Sequence, residues 1–144
     1  MRLAELGEKF GVGKIFTDYN ELLEDPEIDA VSITTIWDRH TEPAVAALEA
    51  GKHVFLEKPM AHTVADCQQI CDAAATAKGI LMVGHICRFN PRYIAAKREI
   101  ESGSLGKILS PTARRNIPAT WTPEILNKIG PIIGDAIHDT DLML

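Results

Sequence analysis

The spacing of apolar residues along the chain switches repeatedly between the pattern of a strand and that of a helix. Short apolar runs predict strands at 14–17, 30–36, 53–56, 80–83 and 107–116. Pro111 interrupts the last run, which suits an edge strand or a bulge better than a sheet centre. Because helical stretches separate the runs, the sequence predicts an α/β fold with parallel strands joined by right-handed crossovers.

Cap residues and glycines set the expected ends of the helices. Leu3, Leu6 and Phe10 lie at helical spacing before Gly11, which predicts an amphipathic first helix closed by a glycine. Four further helices have residues typical of helix starts, and these are Asp18, Thr41, Thr63 and Asn90. The predicted buried face of the helix after Thr63 consists of Val64, Cys67, Cys71 and Ala74.

Composition and charge narrow the function classes. The chain has 144 residues, 46% hydrophobic and 24% charged, with a net charge of −5, which is typical of one soluble globular domain. No basic cluster exceeds Arg114-Arg115, which argues against a nucleic-acid surface. No apolar run approaches the roughly 20 residues that span a bilayer. The amino terminus also lacks the pattern of a signal peptide, so the expected location is the cytoplasm and no membrane partner is expected.

The cysteines admit two interpretations. Cys67 and Cys71 lie four apart on one predicted helix, which is compatible with half of a metal site. The three cysteines are an odd number, however, and have no finger-like pairing with the five histidines. We therefore expect them to be small buried apolar residues, and we expect no metal site.

Polar residues follow three of the predicted strands. These clusters are Thr34-Thr35 with Asp38 and His40, then Glu57-Lys58-Pro59, then Gly84-His85 with Arg88. Each cluster alone fits an ordinary surface loop or a satisfied histidine. Together they predict a ligand site, because the carboxyl ends of parallel strands share one edge of the sheet. Lys58 lies between a buried strand and a proline, so its ammonium has little freedom and can be aimed.

A fourth cluster occupies the last segment, 130–144, in which apolar residues alternate with Asp135, His138, Asp139 and Asp141. On a helix His138 lies about one turn from Asp135. A carboxylate at that spacing could orient the imidazole and raise its basicity. A histidine that titrates near neutrality is what general-base chemistry requires.

The order of these motifs resembles a known enzyme family. The segments concerned read Y-N-E-L-L-E-D-P-E-I-D-A-V-S-I-T-T, A-L-E-A-G-K-H-V-F-L-E-K-P, G-H-I-C-R-F-N-P and G-D-A-I-H-D-T-D-L. They resemble the Gfo/Idh/MocA family of NAD(P)-dependent oxidoreductases, which act on sugars, polyols and cyclitols. The resemblance implies an incomplete Rossmann-like, doubly wound parallel sheet. Residues 1–117 would form part of the NAD(P)-binding domain, and residues 118–144 would begin the connection to a substrate domain.

The resemblance also implies roles for individual residues. His138 would take the hydroxyl proton of the substrate as hydride leaves to the cofactor, and Lys58 would stabilise the developing alkoxide. Asp135 would assist His138, although the family usually has its aspartate one position earlier, at Gly134 here. The cofactor would be NAD or NADP, and the residues expected to bind it are Thr34, Thr35, His40, Glu57, Lys58, Pro59, His85 and Arg88. The substrate would be a small sugar or polyol, and the family resemblance implies a homo-oligomer.

The glycine-rich turn of a dinucleotide fold is not found. A G-x-G-x-x-G turn should follow a strand, whereas Gly11-Val12-Gly13 follows a helix and is interpreted as a helix stop. By analogy with the family, two strands and this turn would lie before Met1, and the edge of the strand at 30–36 would be unpaired. We therefore expect the isolated chain to be marginally stable or self-associating, and to bind NAD(P) poorly.

Two other functions remain open from the sequence. A non-catalytic remnant that serves as an interaction module is favoured by the missing turn and opposed by the intact Lys58 and His138. A Schiff-base lyase is also compatible, because a strand-end lysine near hydrophobic residues can act as a nucleophile. Trapping of a carbonyl substrate on Lys58 by borohydride would favour the lyase.

Overall fold

Three parallel strands form the sheet of the computed structural model, which describes residues 2–116, 118–120, 130 and 132–144. The strands are β1 (Ala30–Ile33), β2 (His53–Leu56) and β3 (Leu81–Val83), and they lie in the order β1-β2-β3. Ala30 pairs with His53, and Val54 pairs with Leu81. The α/β class and the parallel sheet predicted from the sequence are confirmed.

Helices and tight turns connect the strands. The α-helices are α1 (Arg2–Phe10), α2 (Tyr19–Glu24), α3 (Thr41–Glu49), α4 (Val64–Thr76), α5 (Pro91–Glu101) and α6 (Ile137–Met143). Short 3₁₀ turns follow two strands, Trp37–Arg39 after β1 and Ile86–Phe89 after β3. A π-helical turn, Ile132–Ala136, leads directly into α6. None of the described helices has the length and apolar character needed to cross a membrane.

The core lies between one face of the sheet and the helices α3 and α4. Leu48, Leu56 and Ile70 are completely buried or nearly so, at 1%, 0% and 0% exposure. The alternate side chains of the strands, including Phe55 and Met82, point to the other face and are exposed. The described helices therefore cover one face of the sheet. Their packing on that face fixes the position of the carboxyl ends of the strands.

Three of the four predicted helix starts are confirmed by their cap hydrogen bonds. The side chain of Asp18 accepts from the amide of Asn20, and that of Asn90 accepts from the amide of Arg92. Thr63 Oγ1 accepts from the amide of Asp66 at 3.1 Å. These bonds satisfy amides that a helix leaves without partners in its first turn. Thr41 is wrong as a cap, because it is already the first residue of α3.

The strand predictions were wrong in two segments and too long in a third. Residues 14–17 form no strand, and Lys14 instead makes ion pairs with Asp25 and Glu27. The run at 30–36 leaves the sheet after Ile33, whose carbonyl accepts the amide of Glu57 as the last ladder bond. The run at 107–116 is not in a strand, since no described strand lies beside it. An apolar run needs a neighbouring strand to become part of a sheet.

The apolar face predicted for α4 is displaced around the helix. Val64 is 87% exposed and Cys71 is exposed, whereas Ile70 is completely buried. Cys67 and Ala74 of the predicted face do pack against the core, as do Ala73 and Ala77, so the true face is rotated only away from Val64 and Cys71. Cys67 and Cys87 are half-buried, so the expectation that the cysteines are buried was wrong for Cys71. The described residues contain no cluster of three or more side chains suited to hold a metal.

Candidate functional site

The loops that follow β1 and β2 are tied together by one buried histidine. His40 is 1% exposed, and its Nε2 lies 3.0 Å from the carbonyl oxygen of Thr35. Its Nδ1 lies 2.9 Å from the carbonyl oxygen of Pro59. The ring therefore links the Thr34-Thr35 loop to the Lys58-Pro59 loop. Both ring nitrogens thus face backbone carbonyl oxygens. His40 can therefore influence a ligand only indirectly, by fixing the positions of the two loops.

Lys58 is fixed at the carboxyl end of β2. The last ladder bond places Glu57 beside Ile33, and the amide of Lys58 donates to the Glu57 carboxylate at 2.9 Å. The Lys58–Pro59 peptide bond is cis. Lys58 Nζ donates to the carbonyl oxygen of Gly134 at 2.9 Å, in the π-helical turn before α6. The ammonium is thus aimed at the segment that carries His138.

His138 is a buried imidazole on α6. It is 7% exposed, and its Nδ1 is buried without a hydrogen-bond partner among the residues that the structure describes. Burial lowers the pKa of His138, and the positive charges of Lys58 and Arg115 lower it further, while Asp135 opposes them only weakly. The imidazole is therefore neutral at pH 7. The expected rise in its basicity is wrong, because burial and two cations outweigh the carboxylate.

Asp135 does not pair with His138. No ion pair joins the two side chains, and Asp135 Oδ2 instead lies 3.7 Å from Nε of Arg115. The three-residue offset between Asp135 and His138 runs through the π-helical turn, which does not present the carboxylate to the imidazole. The interaction by which Asp135 was expected to orient His138 is therefore absent from the structure.

Two arginines bind the carboxylates of Asp139 and Asp141, which follow His138 in the sequence. Arg88 donates to both oxygens of Asp141 at 2.7 and 2.5 Å. Arg115 donates to both oxygens of Asp139 at 2.7 and 2.9 Å. Each arginine lowers the pKa of its carboxylate. In the sequence Arg115 stands out only as part of a basic pair. The signal that could have found it is the presence of Asp139 and Asp141 beside His138, because neighbouring carboxylates favour nearby cations.

His85 lies close to the same group. Within the described part of the chain its Nδ1 is buried without a hydrogen-bond partner, and it lies 3.8 Å from Asp141 Oδ1. The side chain is 19% exposed. Two imidazoles with an unpartnered nitrogen therefore border one site, together with the ammonium of Lys58.

The residues after β1 form a separate group. Thr34, Thr35 and Asp38 line a groove of about 840 Å³ beside β1, and Thr35 Oγ1 donates to the carbonyl oxygen of Arg39. Neither Lys58 nor His138 lines this groove. The structure thus brings Lys58, His85, Arg88 and His138 together around α6, and it places the two threonines along the neighbouring edge strand.

The sequence of this chain is similar to that of known dehydrogenases. Residues 1–85 match the model of the Gfo/Idh/MocA oxidoreductase family, described as an NAD-binding Rossmann fold. Over 144 residues the chain is 37% identical to myo-inositol 2-dehydrogenase of Thermotoga maritima. That alignment covers 98% of this chain and 42% of the relative. Over 107 residues it is 38% identical to levoglucosan dehydrogenase of Pseudarthrobacter phenanthrenivorans, covering 74% and 27% of the two chains.

Solved structures show the same similarity. A probable dehydrogenase from Thermotoga maritima superposes with a TM-score of 0.81 at 32% identity, covering 99% of this chain and 43% of that one. Levoglucosan dehydrogenase in complex with NADH and levoglucosan superposes with a TM-score of 0.80 at 32% identity, covering 97% and 40%. The chain thus spans well under half the length of the proteins that it matches.

Proposed function

The chain belongs to the Gfo/Idh/MocA family of oxidoreductases, and from this premise we propose that its protein transfers a hydride between NAD or NADP and a sugar, polyol or cyclitol. The observation that carries the proposal is the buried His138, near the cation of Lys58. Nδ1 of His138 has no hydrogen-bond partner among the described residues, and burial lowers the pKa of the ring. A neutral imidazole at pH 7 is the form that can accept a proton.

His138 acts as the general base in this proposal. It takes the proton of a substrate hydroxyl while the hydrogen on the same carbon leaves as hydride, so that the carbon is oxidised to a carbonyl. A nicotinamide cofactor, held by the residues assigned to it below, would supply the acceptor for that hydride. Proton transfer by a positioned side chain typically contributes about 10²- to 10⁴-fold to a rate.

Lys58 stabilises the negative charge that develops on the substrate oxygen. Its ammonium is held by the carbonyl oxygen of Gly134 at 2.9 Å, so it is already aimed at the region next to His138. A preplaced cation stabilises an alkoxide without reorganisation during the reaction. The side chain is already engaged in the bond to Gly134, which supports an electrostatic role over a nucleophilic one.

The remaining predicted residues serve the cofactor. We assign Thr34 and Thr35 to its nicotinamide side, together with the loop residues Glu57 and Pro59. His85 and Arg88 border the same site from the turn after β3. His40 supports these contacts indirectly by tying the two loops. In this proposal residues 1–117 belong to the nucleotide-binding domain, and residues 118–144 lead toward a substrate domain. A homo-oligomer remains a prediction from the family resemblance.

The substrate class follows from the relatives. Several relatives are named for inositol, levoglucosan and 1,5-anhydro-D-fructose, all of which are cyclic and carry several oxygens. The buried nitrogens of His85 and His138 suit such a ligand, because neighbouring hydroxyls can satisfy both. We therefore propose a cyclic polyol or sugar as the substrate.

Substitution of Lys58 and His138 tests this function in the family-length protein, meaning this sequence within a protein as long as its relatives. We expect Lys58→Met and His138→Gln each to lower kcat for inositol oxidation by about 10²-fold or more, with reduced nicotinamide measured by absorbance. The exposed residues His62 and Lys78 supply matched controls, and His62→Gln and Lys78→Met should retain the wild-type rate. Full activity of either site variant, with its fold intact by circular dichroism, would overturn the assignment.

The same variants separate the lyase and the remnant from the dehydrogenase. A borohydride-stable adduct between Lys58 and a carbonyl substrate, found by mass spectrometry of the digested protein, would indicate Schiff-base chemistry. We expect none. Absence of both the adduct and nicotinamide reduction across the cyclic polyols would favour the non-catalytic interaction module.

A further inference from the structure

The orientation of His138 is not set by a hydrogen bond that its Nδ1 donates to a carboxylate. That nitrogen is buried without a partner among the described residues, and Asp135 faces Arg115 instead. The position of the imidazole must therefore come from the backbone that carries it. Helix α6 has seven residues and no side-chain cap at its start, and it follows a π-helical turn. Such a short helix is not stable alone and needs tertiary anchors.

Arg115 supplies one anchor at the residue next to His138. Its guanidinium donates two nearly parallel bonds to Asp139, and Nε lies 3.7 Å from Asp135. Asp135 and Asp139 stand three residues before and one residue after His138. The three side chains are 28%, 28% and 16% exposed, so water screens this group only partly. A two-point bond of this kind fixes direction as well as distance.

We propose that Arg115 is a positioning residue for the reaction, in that its guanidinium holds Asp139 and draws Asp135 away from His138, leaving the imidazole free to accept the substrate proton. This inference rests on the proposed role of His138 as base. Arg115 touches no reacting atom in the scheme, and it acts through α6 and through the two carboxylates.

Charge adds a second consequence to the geometry. Lys58, Arg115 and His85 favour the neutral ring of His138, and Asp135 favours the protonated ring. Asp139 and Asp141, which Arg115 and Arg88 hold, also interact with the charge of His138. Removing Arg115 deletes one cation and also frees two carboxylates beside the imidazole. Both changes raise the pKa of His138. A lysine at this position keeps the charge but loses the two-point bond.

A titration of the His138 imidazole by NMR in the 144-residue chain tests the proposal without any activity assay. In Arg115→Met we expect the midpoint to move upward relative to wild type. In Arg115→Lys we expect a midpoint close to wild type. The matched control is Arg114→Met, which removes the same charge one residue away from a side chain that makes no pair with the described residues, and its midpoint should not move.

Activity of the family-length protein then separates position from charge. Arg115→Lys should lower kcat with little change in KM, because the base keeps its charge state but loses its fixed direction. An unmoved midpoint in folded Arg115→Met would overturn the electrostatic part, and wild-type kcat in Arg115→Lys would overturn the positioning part. Either result leaves the Lys58 and His138 variants to decide the dehydrogenase function separately.

Discussion

The imidazoles of His40 and His138 are both buried, but their surroundings give them different roles. Both nitrogens of His40 face backbone carbonyl oxygens, so that ring serves to join two loops. Nδ1 of His138 faces no partner among the described residues, and burial together with nearby cations lowers the pKa of the ring. A buried nitrogen without a partner is uncommon in folded proteins and is frequently found where a ligand supplies the missing bond. Residue type and burial do not distinguish the roles of the two histidines, whereas their hydrogen-bond contacts do.

The lowered pKa of His138 predicts a pH dependence of stability. The unfolded chain binds a proton at this residue near its ordinary pKa of 6.5, whereas the folded chain resists protonation to lower pH. Stability should therefore fall as the pH drops below about 6.5, and His138→Gln should flatten that part of the profile. Urea denaturation between about pH 7 and pH 5 measures the effect.

Asp139 and Asp141 contribute in a different window. Their folded pKa values are lowered by Arg115 and Arg88, so their stabilisation is present above the ordinary pKa of 3.8 and is lost only as the pH falls below it. A loss of stability confined to that lower range, with none between pH 7 and pH 5, would contradict the prediction for His138.

At the site, the sequence predicted only part of the grouping, since Thr34, Thr35 and Asp38 line a separate groove, and it did not predict how the grouped residues bond. Lys58, His85, Arg88 and His138 lie around α6, because the carboxyl ends of parallel strands share one edge. The pairing of Asp135 with Arg115 depends on a π-helical turn that no spacing rule signals. Arg115 lies 24 residues before Asp139 in the sequence. No local sequence pattern connects residues that far apart, so the pair could not be predicted.

At the scale of the element, helix α4 shows how a correct boundary can accompany a wrong face. Thr63 caps it as predicted, since the signal is local. The buried face depends on where α3 and the sheet lie, and Ile70 occupies that position in place of Val64. Strands follow the same rule. The run at 53–56 was predicted correctly because neighbours flank it on both sides, whereas 107–116 has none among the described strands.

Two substitutions in α4 measure this difference. Ile70→Ala should destabilise the chain by about 2–5 kcal/mol, because Ile70 is completely buried and its removal leaves a cavity. Val64→Ala removes a side chain that is 87% exposed, so its effect should stay within about 0.5 kcal/mol. Urea midpoints of the two variants decide between the predicted and the observed face. Equal losses would indicate that α4 is rotated from its position here.

At the scale of the whole molecule, the sheet is asymmetric. Helices α3 and α4 cover one face, and among the described strands only β2 lies beside β1, at the edge of the sheet. In the ladder, carbonyl oxygens of Asp29 and Ile33 accept amides from the β2 side, at His53 and Glu57. Because successive residues of a strand point their backbone groups to opposite sides, the amide of Ser32 faces the open edge. An open edge of this kind can pair with another chain.

We therefore expect the 144-residue chain to self-associate through β1, and Ser32→Pro to reduce that association. Proline removes the outward amide and leaves the ladder to β2 intact, since it is tolerated on edge strands whose N–H faces outward. The matched control is Ser32→Ala, which keeps the amide and should associate like wild type. Sedimentation at increasing concentration measures the result. If Ser32→Pro associates as strongly as wild type while its urea midpoint is unchanged, the contact lies elsewhere, and the exposed face around Phe55 and Met82 becomes the surface to alter.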